Sequence, residues 1–91
     1  PLPVEEQIVQ IYAATQPRPK TGAPSWLRGF AASDALRFVR EAVDFLKAKH
    51  ADILKDIREN PSKKIDDAMR ERLNKALEEF VAGFDGKKVE S

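Results

Sequence analysis

Cysteine is absent from the 91 residues. Without it there is no disulfide, no thiolate nucleophile and no cysteine-based zinc site, and redox compartment is left open. Histidine occurs once, at His50, and tryptophan once, at Trp26. A metal or catalytic histidine needs partners. With neither a second histidine nor a thiol, His50 reads as a helix-end residue. Charge of one sign is also missing: 16 basic side chains nearly cancel 15 acidic ones. No net field draws the chain toward nucleic acid or anionic lipid, and Lys63-Lys64 and Lys87-Lys88 are too short for a nucleic-acid patch. No apolar run approaches the ~20 residues that span a bilayer, so direct membrane insertion is not expected. The acidic, periodic opening is unlike a signal peptide. It starts at Pro1, which reads as an excised domain or processed fragment.

What the chain does have is helical periodicity. Hydrophobic residues make up 42% and charged residues 34%, a balance suited to one small helical domain with a solvated exterior. Pro3 suits a helix start, and Glu5 and Glu6 place negative charge at the positive end of the helix dipole. Val4, Ile8, Ile11, Tyr12 and Thr15 then recur at three- and four-residue spacing, giving one apolar face. From Gln16 to Pro24, three prolines and a glycine in nine positions end the helix and predict an exposed loop. Its Pro-x-Pro pieces are the only hint of a proline-recognition ligand. Trp26 reads as a ring filling an inter-helix groove, or as an anchor on a partner surface.

Ser33 and Asp34 offer N-cap chemistry for a helix over 35–50, with Ala35, Phe38, Val39, Ala42, Phe45, Leu46 and Lys49 on one stripe. A shorter helix over 51–60 carries Ile53, Leu54 and Ile57 on one side and stops before Pro61. A last helix, capped by Ser62 or Asp66, carries Met69, Leu73, Ala76, Leu77, Phe80 and Phe84. Beyond Phe84 a flexible tail is expected over 85–91. The expected fold is therefore all-α: a small bundle of about four helices with one Pro-rich loop after the first.

Chemistry is scarce in this pattern. The glycines have neither phosphate-loop nor dinucleotide spacing, and no serine sits in a nucleophile elbow. The pairs Glu5/Glu6, Asp66/Asp67 and Glu78/Glu79 are sequence neighbours that point about 100° apart on a helix, so they read as capping or solvated-face residues. No catalytic, cofactor-binding or metal-binding residue is expected.

The run Pro1-Leu2-Pro3-Val4-Glu5-Glu6-Gln7, followed by Ile11-Tyr12-Ala13-Ala14-Thr15, resembles the start of the C-terminal helical domain of the alpha subunit of rotary (F-type) ATP synthases. Further landmarks follow in order: Trp26-Leu27, then Asp34, Arg37, Phe38 and Glu41, then 45–50, 52–58 and 65–80. Three features depart from that pattern. Residues 17–24 look inserted, Ala31 and Ala32 stand where proline and valine are usual, and Arg28 stands where an acidic residue is usual.

The resemblance implies a non-catalytic structural domain in the alpha–beta ring of the proton-translocating complex that makes ATP. Mg-ATP would bind in an upstream domain of the subunit, not in this chain. The implied partners are that upstream nucleotide-binding domain, the beta subunits and the central-stalk gamma subunit. The implied location is peripheral to an energy-coupling membrane, on its cytoplasmic face in bacteria or the matrix or stromal side in an organelle. Val4, Ile8, Ile11, Tyr12 and Trp26 are the candidate docking face. The rival readings are a free-standing helical adaptor that binds a partner protein and, more remotely, an enzyme with a helical active site.

Overall fold

A computed structural model of the chain describes residues 3–60 and 65–84. Four α-helices follow one another: α1 (Val4–Thr15), α2 (Ala32–Lys49), α3 (Ala51–Glu59) and α4 (Asp67–Gly83). There is no strand among the described residues beyond an isolated bridge between Arg18 and Ala23. The all-α bundle is the one expected. Ser62 and the tail over 85–91 lie outside the described residues.

Each helix end has a local cause. Pro3 stands just ahead of α1, and its carbonyl accepts from the Glu6 and Gln7 amides, each at 3.1 Å. Gln16 is extended at the other end, as a residue before proline must be. The α2 helix begins earlier than the cap chemistry of Ser33 and Asp34 suggests. Ala31 occupies the N-cap position without a side-chain bond, which moves Ser33 and Asp34 into the first turn. Alanine propagates a helix well, and an acid in that turn favours the dipole without capping it.

His50 ends α2 and starts α3 together. Its N–H donates to Leu46 O at 2.8 Å, while its carbonyl accepts from Ile53 N at 3.0 Å. The helix-end reading of this residue therefore stands. Asn60, ahead of Pro61, is extended and closes α3. Asp66 caps α4, its carboxylate accepting from Met69 N at 2.8 Å.

The α1 helix packs on α2 and α3, α2 packs on α3 and α4, and α3 packs on α4. Their apolar faces meet in one cluster centred on Phe38, Leu46, Ile57, Leu73 and Leu77, each fully buried. All five phenylalanines join at one side of it. Phe38 sits 5.1 Å from Phe80 and 5.2 Å from Phe84, both edge-on, and Phe30 and Phe45 extend the chain of rings. Edge-to-face pairs of this kind add roughly 0.5–1.5 kcal/mol beyond the area they bury.

The Pro-rich loop is folded back and fixed. Arg18 N donates to Ala23 O at 3.0 Å and Gly22 N to Arg18 O at 2.8 Å, closing a tight turn in which Gly22 takes φ +74°. A side chain rarely tolerates that angle. Arg18 then grips Glu78 of α4 through two bonds, Nε at 2.9 Å and Nη2 at 2.7 Å. The loop is exposed along most of its length, as expected, and is tied to the bundle at one point by a paired, part-buried fork.

Candidate functional site

The five docking candidates divide between surface and core. Val4, Ile8, Ile11 and Thr15 run down one edge of α1 at spacings of four, three and four. Ile11 is 60% exposed and Val4 43%, while Ile8 is half-buried. Tyr12 and Trp26 are not on that surface. Tyr12 is turned inward, its phenol donating to Asn74 Oδ1 of α4. Trp26 is buried against the cluster, its amide donating to Ala13 O at 3.1 Å, with the Arg18 guanidinium 5.4 Å from its ring centroid. Both rings fill the chain's own groove, so as docking candidates they are corrected to core residues, and the edge narrows to Val4, Ile8 and Ile11.

Three features hold that edge in place. Glu5 and Glu6, which read as capping or solvated-face residues, are only 8% and 6% exposed. A buried carboxylate persists only when paired, and these two are. Lys47 of α2 lies 3.2 Å from Glu6, and Arg58 of α3 lies 3.7 Å from Glu5. The first turn of α1 is thereby bolted to both helices beneath it. The Tyr12 bond to Asn74 fixes the far end. Burial raises the Tyr12 pKa, with Arg70 and the Asn74 bond pulling the other way, so the phenol stays protonated past its ordinary range.

A cleft of about 320 Å³ runs beside this edge, lined by Ile8, Ile11, Tyr12, Thr15, Ile65 and Arg70. Apolar walls with one cation at the rim suit a protein side chain better than a phosphate.

Between α3 and α4 a set of charged groups is committed to one another. A cleft of about 290 Å³ between α3 and α4 contains His50, Asp52, Arg72 and Glu79. His50 Nε2 meets Glu79 Oε1 at 2.6 Å, and Arg72 binds both Asp52 and Asp56 at 2.6 Å. Hydrogen bonding to Arg72 holds the Asp52 carboxyl below its usual range. These are surface ion pairs that tie two helices together, a weak stabilising role. Among the described residues no group of His, Cys, Asp and Glu is placed to hold a metal ion, and no helix is long and apolar enough to cross a membrane.

Two contacts were beyond the reach of sequence spacing. Arg18 and Glu78 are 60 residues apart, and nothing in either local pattern signals the other. The inward turn of Glu5 and Glu6 likewise depends on cations of later helices.

Comparison with known proteins follows the same lines. No protein-family model matches the chain, and no solved structure matches it. The chain is 40% identical over 86 residues to ATP synthase subunit alpha of Sulfurovum sp. (strain NBC37-1). That match takes in 94% of this chain and falls in the C-terminal part of the relative. The chain spans only 15% of the relative's length. With four helices, no strand among the described residues, and this match running almost end to end, the chain belongs to the C-terminal domain family of ATP synthase subunit alpha.

Proposed function

We propose that the chain is a non-catalytic structural domain of ATP synthase subunit alpha, part of the alternating alpha–beta ring of the proton-translocating complex that makes ATP. Its work in this reading is mechanical. A bundle stiffened by five clustered phenylalanines and by ion pairs between its helices gives the ring a firm collar. The upstream part of the same subunit binds Mg-ATP, and this domain adds no group to that chemistry. The beta subunits and the central-stalk gamma subunit are its neighbours, and it is peripheral to the membrane, facing the cytoplasm in bacteria or the matrix or stroma in an organelle.

The observation that carries the reading is the exposed edge of α1. Three large apolar side chains of the described residues are exposed, Val4 and Ile11 on α1 and Leu36 on α2, and the two on α1 share a strip that also takes in Ile8. Covering the exposed parts of Val4 and Ile11 is worth about 2–4 kcal/mol. The strip is held by ion pairs from the buried Glu5 and Glu6 carboxylates to exposed cations at one end and by Tyr12 at the other, so docking on it costs little ordering entropy.

The test is Ile11→Glu, placed in the full alpha subunit of the source organism. Ile11 makes a small contribution to the domain's own core, so the domain itself keeps its stability within about 0.5 kcal/mol. The expected result is a reduced yield of assembled complex on native gels, with ATP hydrolysis per assembled complex unchanged. An undiminished yield would remove the α1 edge from the ring.

A further inference from the structure

The Pro-rich loop creates a second surface, distinct in chemistry from the α1 edge. Between Glu6 and Asp34 the chain has no acidic residue, and its charges there are Arg18, Lys20 and Arg28. Fifteen acids are otherwise spread through 91 residues, so this stretch stands apart from an almost neutral chain. Folding gathers part of it around a cleft of about 340 Å³, lined by Arg18, Thr21, Ser25, Trp26, Arg28 and Gly29. Both charged side chains in that lining are guanidiniums. No carboxylate joins them there.

The cleft is preformed. The Arg18–Ala23 turn is closed by its own backbone bonds, and Ala23 N also donates to Thr21 Oγ1 at 3.3 Å. Glu78 of α4 engages Arg18 through Nε and Nη2. Nη1 of Arg18 makes no hydrogen bond to any described residue, which leaves that corner of the fork with donors to give. Lys20 sits near enough to Glu78 to act on it, adding to the pull of Arg18. Arg28 is exposed and forms no ion pair with the described residues. Glu78 therefore answers Arg18, and no carboxylate of the described residues answers Arg28.

We infer that this cleft is a docking site for an acidic segment of another polypeptide, one carboxylate entering between Arg18 and Arg28. Guanidinium donors match a carboxylate in plane, and the Thr21 and Ser25 hydroxyls supply further donors at its sides. Three cations distributed over residues 18 to 28 suit a run of acids better than one compact anion. The site stands independently of the subunit reading, because it draws on none of the α1 residues.

The experiment titrates the 91-residue chain with a short peptide of alternating Glu and Gly, with its Gln counterpart, and with inorganic phosphate. Amide shifts of Thr21, Ser25 and Gly29 and the fluorescence of Trp26, the sole tryptophan, report occupancy. The acidic peptide is expected to move these signals, with affinity falling roughly tenfold in R28E and falling again as salt rises from about 20 to 200 mM. The Gln peptide and phosphate are expected to leave them in place. R28Q, which deletes the charge without reversing it, should show an intermediate loss, and circular dichroism confirms that each variant is folded. Signals unmoved by the acidic peptide, binding undiminished in folded R28E, or phosphate competing on equal terms would each overturn the proposal.

Discussion

Tyr12 joins two helices, α1 and α4, whose backbones do not come into contact. Its phenol O–H reaches Asn74 across the gap. Tyr12→Phe keeps the ring and removes that bond while leaving a part-buried amide oxygen unanswered. It should cost about 1 kcal/mol, read as a lower urea midpoint at unchanged slope. The alkaline limb carries a second signature. Because the folded pKa is raised, the protonated phenol contributes stability that is fully present below the ordinary value of about 10 and is lost as pH climbs through the raised one. Tyr12→Phe should flatten that loss.

Glu78 gives the mirror case. The hydrogen bonds from Arg18, helped by its charge and by Lys20, hold the Glu78 carboxyl below its usual range. Its ionised form contributes stability that is present above the ordinary carboxylate pKa of about 4.3, and lost as pH falls through the depressed folded value. Glu78→Gln should therefore lower stability by about 1–2 kcal/mol at neutral pH and weaken the acid dependence. A urea series from neutral to acid pH measures both. Neither partner was legible in the sequence. Glu78 reads there as one of a solvated pair, and Arg18 as a loop cation, because a contact between residues 60 apart leaves no trace in local spacing.

At the scale of the element, periodicity carried most of the information. Met69, Leu73, Ala76, Leu77 and Phe80 lie buried on α4 as their spacing predicts, and Ile53, Leu54 and Ile57 do the same on α3. The first helix shows where that signal stops. Its apolar residues span more of the circumference than its neighbours cover, so Val9, Tyr12 and Ala13 are buried while Val4 and Ile11 are not. Periodicity gives a face but not which half of it a neighbour covers. The start of α2 at Ala32 lies ahead of its cap signal for a related reason, since Ser33 and Asp34 suit a cap and a first turn almost equally.

Two glycines provide a paired test of backbone effects. An added Cβ would meet nothing within 4 Å at either Gly22 or Gly83, so packing drops out of both substitutions. Gly22 sits at φ +74°, and Gly22→Ala should destabilise by about 1 kcal/mol through strain alone. Gly83 ends α4 and is exposed, and Gly83→Ala should stabilise by about 0.5 kcal/mol by reducing the freedom of the unfolded chain. Thermal melts of the two variants, shifting in opposite directions, would confirm the turn geometry and the helix end together.

At the scale of the whole molecule, one apolar cluster supports four helices, and two surfaces remain with unspent chemistry. The α1 edge is apolar and rigid, whereas the loop cleft is basic and preformed. The proposed role within ATP synthase subunit alpha would give the first surface a purpose, because a domain within a larger subunit offers a face to the rest of it. The most direct test of that purpose is a photo-crosslinking residue at position 11 of the full alpha subunit, activated in cells of the source organism, with the captured polypeptide identified by mass spectrometry. Our account predicts capture within the ATP synthase, by the upstream part of the same subunit or by a neighbouring subunit of the ring or stalk. Capture solely by a protein outside that complex would contradict it and mark the chain as an adaptor.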